Sequence, residues 1–239
     1  MFKLADYVWC PTQGNVDFIC KEYPWINQNK FVVSNFWAKP IYIKKTDSIK
    51  EKLGLKDKFL AIYGGSVGPA QKLEHLVNLA DICKDETGIV FLILGKGGQI
   101  EAIKSIAQEK KLKNILFLPF MEQTEYLQLL SSCNVGFIIL NEDHATPNFP
   151  SKTLSYFNLQ IPILASIDYV TDYGAFLDRT NTGLWSYSGE VLNFKNNLLK
   201  LYHNPELCDE IKKNQLDYFY SHMLPEHAYS TIINHIEDK

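Results

Sequence analysis

The feature that most constrains the fold of this chain is a series of short, largely apolar segments separated by helical patterns. Six segments are predicted strands, at residues 59–63, 89–94, 115–118, 135–140, 161–165 and 183–187. Strands that are apolar along their whole length are buried on both faces, as in parallel sheets covered by helices. Right-handed crossovers then give an α/β fold with a doubly wound, Rossmann-like parallel sheet. Ligands of such folds bind beyond the carboxyl ends of the strands, so the loops there are the candidate sites.

Composition and charge exclude several classes of protein. The formal net charge is only −3 over 239 residues, so we expect no nucleic-acid partner. The 5 cysteines are irregularly spaced and form no Cys-x-x-Cys pair, so we expect reduced thiols and a cytoplasmic location. The first ten residues do not resemble a signal peptide, and no apolar run approaches the roughly 20 residues that span a bilayer. Peripheral contact with the inner face of a membrane remains open.

The first candidate loop is Tyr63-Gly-Gly-Ser-Val-Gly-Pro-Ala-Gln-Lys72, which follows the first apolar segment. Its glycines allow the backbone to approach a phosphate, and the next helix offers free N–H groups. Lys72, or Gln71 beside it, would add a donor. A simple strand-to-helix turn that needs glycine is an equally good interpretation. The loop has neither the Gly-x-Gly-x-x-Gly spacing of a dinucleotide site nor a P-loop.

Two further loops follow later predicted strands. The stretch Gly95-Lys-Gly-Gly98 is interpreted as a tight turn slightly more readily than as a ligand loop. The stretch Asn148-Phe-Pro-Ser-Lys-Thr153 places Pro150 and Ser151 at a predicted helix start. A helix N-terminus carries partial positive charge, and Lys152 adds a full charge, a combination that suits a diphosphate. The alternative is an ordinary helix cap.

Other chemistry-bearing residues form weaker patterns. The six histidines lack the spacing of metal ligands, so we predict no metal site. His144 shares a loop with Glu142 and Asp143 after the fourth strand, where an acid–base or metal role is possible but a solvated loop is favoured. The chain contains no Gly-x-Ser-x-Gly nucleophile motif.

Several motifs together resemble those of a known family. The stretch 63–74 is similar to the family pattern Gly-Asn-Ile-Gly…Gln-Gly-Leu-Glu. The stretches 150–156 and 160–166 together are similar to the family pattern Pro-Ser-Lys-Leu-x-Glu-Tyr…Gly-x-Pro-Val-Ile-Ala-Ser. The stretch 32–37 is similar to an interdomain Val-Ile-Pro-Asn-Trp. In order and spacing, the motifs resemble the carboxyl-terminal, donor-binding half of a GT-B glycosyltransferase. The resemblance is to family 4, and within it to the fucosaminyltransferase-like branch that builds bacterial surface polysaccharides.

The resemblance implies transfer of a sugar, with retention, from a nucleotide-diphospho-sugar to a surface glycan, without a further cofactor. It implies a diphosphate site formed by Gly64, Gly65, Ser66, Gln71, Lys72, Ser151, Lys152 and Thr153. It implies a nucleoside site formed by Gly95, Lys96, Leu118, Phe120, Met121, Glu142 and Ser155. The catalytic groups remain unknown, because the family draws them from its other domain.

The resemblance also implies the organisation of the chain and its partners. Residues 1–45 would be a remnant of the acceptor-side domain, 46–222 the donor-binding domain, and 223–239 a helix that crosses back. The expected partners are a nucleotide-sugar donor, a glycan or lipid-linked acceptor and a separate chain that carries the acceptor domain.

The sequence departs from the family pattern at defined positions. Ser155 stands where the family has a ribose-binding glutamate, and Pro147 stands where it has another glutamate. Glu142 or Asp143 is the candidate replacement. These departures favour an alternative, a degenerate or split glycosyltransferase that acts as a binding subunit. A nucleotide-sugar epimerase is the third hypothesis.

Overall fold

A computed structural model describes residues 2–44 and 48–237. Its main feature is a sheet of six strands, all parallel. The strands are β3 (Phe59–Ser66), β4 (Ile89–Lys96), β5 (Ile115–Leu118), β6 (Val135–Ile139), β7 (Ile163–Ile167) and β8 (Gly183–Tyr187). Their order across the sheet is β5-β4-β3-β6-β7-β8. The predicted α/β fold with a Rossmann-like parallel sheet is therefore confirmed.

Helices alternate with these strands and cover both faces of the sheet. They are α2 (Ser48–Lys52), α3 (Glu74–Ile82), α4 (Ile100–Glu109), α5 (Gln123–Ser131), α6 (Lys152–Leu159), α7 (Tyr173–Thr180), α8 (Val191–His203), α9 (Pro205–His222) and α10 (Pro225–Glu237). No helix among the described residues is both long enough and apolar enough to cross a membrane.

The alternation of side chains along β3 shows why the strands are apolar throughout. Leu60 and Ile62 enter the core on one face of the sheet, with residues of α5, α6 and α7. Ala61 and Tyr63 enter the core on the other face, with residues of α3, α4 and α8. Successive side chains of a strand point to opposite faces, so a sheet that is covered on both faces needs apolar residues at every position.

A second, small sheet is formed near the amino terminus. The strands β1 (Val8–Cys10) and β2 (Phe31–Val33) pair in parallel, and helix α1 (Gln13–Glu22) and a 3₁₀ turn (Gln28–Lys30) lie between them. This unit has its own small core, and α10 contacts β2. The boundaries predicted at residues 45 and 222 stay predictions, and residues 45–47 lie outside the described part of the chain.

Several predicted strand ends are wrong by a few residues. The strand predicted for 59–63 continues to Ser66, and the strand predicted for 89–94 continues to Lys96. They continue because Gly65 and Gly95 pair with each other in register, so the glycines belong to the sheet. The strand predicted from residue 161 begins at Ile163.

Candidate functional site

A cleft, here called the main cleft, opens at the carboxyl edge of the sheet. It has a volume of about 640 Å³ and combines the end of β3 with the amino-terminal ends of α5 and α6. Its lining consists of Gly64, Gly65, Ser66, Leu94, Phe120, Met121, Glu122, Gln123, Tyr126, Ser151, Lys152, Ser155 and Tyr156. Two of the three predicted loops therefore meet in the main cleft, as expected for the carboxyl ends of parallel strands, whereas the loop 95–98 does not line it.

A smaller hollow of about 280 Å³, here called the side hollow, adjoins the main cleft and shares four residues with it: Gly65, Ser66, Leu94 and Phe120. Its lining adds Gly95 and Lys96 from the end of β4. Phe120 is 72% exposed, and the Nζ of Lys96 lies 5.5 Å from the centroid of its ring. The exposed ring with a cation beside it offers a flat apolar surface for a planar ligand group.

Lys152 is the principal charged group of the main cleft. Helix α6 begins at this residue, with Pro150 and Ser151 directly before it, which confirms the predicted helix start. Its Nζ lies 4.6 Å from the centroid of the Tyr63 ring and 3.5 Å from the Tyr63 hydroxyl. No carboxylate in residues 2–44 or 48–237 forms an ion pair with it, and burial lowers the pKa of Lys152 to about 8.

Two glycines make the close packing under the main cleft possible. Gly65 has a φ of +146°, a region in which side chains are strained. A Cβ at this position would also lie 2.7 Å from the Cε of Lys152. At Gly64, a Cβ would collide with the hydroxyl of Tyr126. Glycine therefore lets Lys152 and Tyr126 reach the backbone of β3.

A second polar group, here called the Glu142 cluster, lies at the same edge of the sheet and consists of Lys72, His75, Glu142 and Ser188. The Glu142 carboxylate accepts hydrogen bonds from Lys72 Nζ and from Ser188 Oγ at 3.0 Å, and His75 Nε2 lies 2.8 Å from it. Partial burial raises the pKa of Glu142, but these hydrogen bonds outweigh it and lower the pKa to about 2. The cluster joins the loops that follow β3, β6 and β8.

The structure thus separates some of the predicted site residues from the main cleft. Lys72 and Glu142 bind each other, and neither lines the main cleft or the side hollow. The Thr153 hydroxyl is buried and lies 2.7 Å from the Tyr173 hydroxyl. Gln71 lies in the turn after β3, where its N–H donates to Gly68 O at 3.0 Å. The side chain of Leu118 packs against the core.

The sequence patterns did not predict several other residues of the main cleft. Glu122, Gln123 and Tyr126 come from the start of α5, and Tyr63 lies beneath Lys152. The available signal was the position of α5, which begins directly after β5 at the ligand edge of the sheet. No group of three or more His, Cys, Asp or Glu side chains in the described ranges could hold a metal ion.

The geometry defines a class of protein, a Rossmann-like α/β domain with a lysine-containing cleft at the carboxyl edge of its sheet. The family model of Glycosyl transferases group 1 matches residues 45–217, so the chain belongs to that family. This match confirms the general resemblance, whereas the assignment to family 4 and to the fucosaminyltransferase-like branch remains a prediction.

The chain is also similar to individual proteins. The chain is 30% identical over 107 residues to the putative colanic acid biosynthesis glycosyl transferase WcaI of Escherichia coli K12. The aligned region covers 44% of this chain and 26% of WcaI. Two solved structures share its fold. The complex of Anabaena HepE with UDP has a TM-score of 0.83 at 13% identity, and covers 100% of this chain and 65% of HepE. WaaG, a glycosyltransferase involved in lipopolysaccharide biosynthesis, has a TM-score of 0.71 at 14% identity, and covers 92% of this chain and 60% of WaaG.

The chain therefore spans less than two thirds of the length of these relatives. At such low identities the two solved structures show the fold alone, which is the GT-B, Rossmann-like fold.

Proposed function

We propose that this chain is the donor-binding half of a glycosyltransferase and holds a nucleotide-diphospho-sugar in the main cleft. The observation that carries the proposal is Lys152, a half-buried cation without a carboxylate partner among the described residues. It stands at the first position of α6, so its charge adds to the partial positive charge of the helix start. An anionic diphosphate is the ligand that satisfies both.

The same arrangement would assist sugar transfer. When the bond between the anomeric carbon and the diphosphate oxygen breaks, negative charge develops on the leaving diphosphate. Lys152 and the N–H groups at the start of α6 would stabilise this charge as it forms. A bound diphosphate would also raise the pKa of Lys152 above about 8, and so keep the ammonium charged.

The side hollow would receive the nucleoside. Phe120 offers an exposed ring on which the base can stack, with Lys96 near it. The backbone from Leu118 to Met121 would flank the base. Ser155 lines the main cleft and would contact the ribose through its hydroxyl. Glu142 would take that role only by leaving the Glu142 cluster.

The remaining parts of the proposal concern the whole reaction. The acceptor would be a surface glycan or its lipid-linked precursor, as the names of WcaI and WaaG suggest for those proteins. Transfer would retain the anomeric configuration, as the resemblance to family 4 implies. A domain that binds the acceptor, on this polypeptide or on a separate chain, would complete the enzyme in the cytoplasm or at the inner face of the membrane.

A second candidate function is a binding subunit without activity of its own. Two observations favour it. Ser155 lines the main cleft where the resemblance implies a ribose-binding glutamate, and the Glu142 carboxylate is occupied by Lys72, His75 and Ser188. Such a subunit would co-purify with an acceptor-domain chain and would contribute no turnover to the pair.

Isothermal titration of the chain with UDP, GDP and UDP-glucose tests the donor site. We expect at least one nucleotide to bind, and Lys152→Met to weaken that binding at least tenfold, because a charge-assisted hydrogen bond contributes about 1.5–3 kcal/mol. Lys212→Met is the matched control, since Lys212 lies on α9 and pairs with Asp209. The donor site is refuted if none of the three ligands gives heat, or if Lys152→Met binds like the wild type.

A further inference from the structure

An extended segment, residues 36–44, runs between β2 and α2 without forming a helix or a strand, and we call it the strap. Hydrogen bonds hold its backbone to the donor-side domain. Ala38 N–H donates to Met223 O at 2.9 Å, and Ile41 N–H donates to Asn158 Oδ1 at 2.9 Å. The amide nitrogen of Asn158 donates back to a strap carbonyl at 3.0 Å. The backbone of the strap is therefore fixed, and so are the directions of its side chains.

The strap has one face in the core and one face in solvent. Phe36, Ala38 and Ile41 pack against the core that residues of α6 and α9 also enter. The exposed side chains are alternately aromatic and basic, and they are Trp37, Lys39, Tyr42 and Lys44. Trp37 is 51% exposed and Tyr42 is 87% exposed. Neither of the two lysines is in an ion pair within residues 2–44 and 48–237, so their charges are available to a partner.

The distribution of charge along the chain is an independent observation. Residues 37–58 contain seven lysines and three carboxylates, an excess of four positive charges, whereas the whole chain has a formal net charge of −3. The remaining residues therefore carry an excess of seven negative charges. Helix α2 begins four residues after Lys44, at most about 14 Å further along the chain, so the positive charge is concentrated in one region. Such a region attracts an anionic partner although the chain as a whole is acidic.

An anionic lipid bilayer matches both properties of the strap. Tryptophan and tyrosine rings concentrate at the level of the lipid headgroups, where the apolar ring and its polar edge are both satisfied. Lysines beside them are attracted to anionic headgroups, and each contributes about fivefold in affinity. Stable attachment to a membrane usually needs more than one kind of contact, and the strap offers two.

We propose that the strap is a docking surface for an anionic lipid bilayer. The rings of Trp37 and Tyr42 enter the headgroup region, and Lys39 and Lys44 contact the anionic headgroups. The inference goes beyond the proposed function and does not depend on it, because no residue of the strap lines the main cleft or the side hollow.

Two other classes of partner fit the strap less well. Protein interfaces are enriched in tryptophan and tyrosine but depleted in lysine, whereas the strap interleaves lysines with its aromatic rings. Single-stranded nucleic acids bind aromatic and basic side chains within a groove that follows the phosphate backbone. The strap instead lies flat on the core and contributes to neither of the two clefts.

Sedimentation of the full chain with lipid vesicles tests the proposal. We expect vesicles of phosphatidylglycerol and phosphatidylcholine in equal amounts to bind the protein at least about tenfold more tightly than vesicles of phosphatidylcholine alone. The double variant Lys39→Gln/Lys44→Gln should lose at least about tenfold in affinity for the anionic vesicles. Lys200→Gln/Lys213→Gln is the matched control and should bind like the wild type, because it removes two exposed lysines from α8 and α9 and changes the net charge equally.

The aromatic rings and the salt dependence are tested in the same assay. Trp37→Ala should weaken binding to the anionic vesicles severalfold, because the apolar area of the ring is no longer buried in the lipid. Tyr229→Ala, which removes a 67% exposed ring from α10, is the control and should have no effect. Raising the NaCl concentration from about 0.1 M to about 1 M shortens the Debye length from about 10 Å to about 3 Å and should release the protein.

Failure to sediment with either kind of vesicle would overturn the proposal, and so would equal affinity for both kinds. Equal weakening by the two double lysine variants would overturn it as well, because the position of the charge would then not matter. Self-association in light scattering, or retention on immobilised oligo(dT), without vesicle binding would overturn it in favour of a protein or a nucleic-acid partner. A thermal scan of each variant guards against misfolding. The donor site is scored separately, since the strap variants should keep nucleotide binding and Lys152→Met should keep vesicle binding.

Discussion

The half-buried ammonium of Lys152 should lower the stability of the unliganded protein. Its side chain has no carboxylate partner among the described residues, and burial lowers its pKa from 10.5 to about 8. Replacing it with methionine keeps a side chain of similar length and removes the charge. We therefore predict that Lys152→Met increases the free energy of unfolding while it weakens nucleotide binding at the proposed donor site.

The size of the effect follows from the pKa. One pKa unit corresponds to about 1.36 kcal/mol, so lowering the pKa of Lys152 to about 8 implies a cost of at most about 3 kcal/mol. Solvent at the mouth of the cleft screens part of this cost. The Tyr63 ring, 4.6 Å from Nζ, offsets about 0.5–1 kcal/mol more. We expect a net gain of about 1–2 kcal/mol at pH 7 for the variant.

The stability difference between the wild type and Lys152→Met should depend on pH. Between pH 8 and 10.5 the unfolded chain keeps a proton on Lys152 that the folded chain has lost, so the unfolded state binds more protons. The stability of the wild type then rises with pH relative to that of the variant. The advantage of Lys152→Met should be full below pH 8 and should shrink as the pH approaches 10.5.

Urea unfolding followed by circular dichroism, without nucleotide, measures this difference at pH 7 and pH 10. Lys212→Met is again the control, because a surface substitution on α9 should change stability by less than about 0.5 kcal/mol. A Lys152→Met variant that is less stable than the wild type at pH 7 would refute the reasoning. A stability gain of equal size at both pH values would show that the charge of Lys152 is not its cause.

Three further predictions concern the neighbouring groups. Gly65→Ala should destabilise the protein by about 1–3 kcal/mol because φ is +146° there, and it should weaken UDP binding by displacing the cleft lysine. Gly68→Ala, where φ is not positive and the nearest contact is at 3.7 Å, is the control for both thermal and titration data. Glu142→Gln should lower the free energy of unfolding by about 1–2 kcal/mol at pH 7, and acid titration should show this difference fading from pH 4.5 towards pH 2, because the carboxylate is stabilised only when ionised. A pH-independent difference would contradict that account. Thr153→Val should cost about 1–3 kcal/mol in urea unfolding because it leaves the buried Tyr173 hydroxyl unpaired, whereas Thr153→Ser should be close to neutral.

Much of the fold was predictable from the sequence because the physics involved is local. An apolar residue at every position of 89–94 implies burial on both faces of a sheet, and Pro150 followed by Ser151 marks a helix start; the structure confirms both. The rule that ligands bind at the carboxyl edge then gave the correct neighbourhood of the main cleft. The ends of β3 and β4 were less predictable, because glycine usually ends a strand and here pairs within the sheet.

The distribution of charge at that edge depended on tertiary structure. From the sequence, Lys72 and Lys152 are equivalent cations in two loops. In the folded chain, Lys72 is paired with Glu142, a residue from a distant loop, whereas Lys152 is left without a carboxylate partner among the described residues. The sequence by itself determined the layers and the ligand edge, because burial is periodic along the chain. Tertiary structure decided which charges are neutralised, because that depends on distances between residues far apart in the sequence.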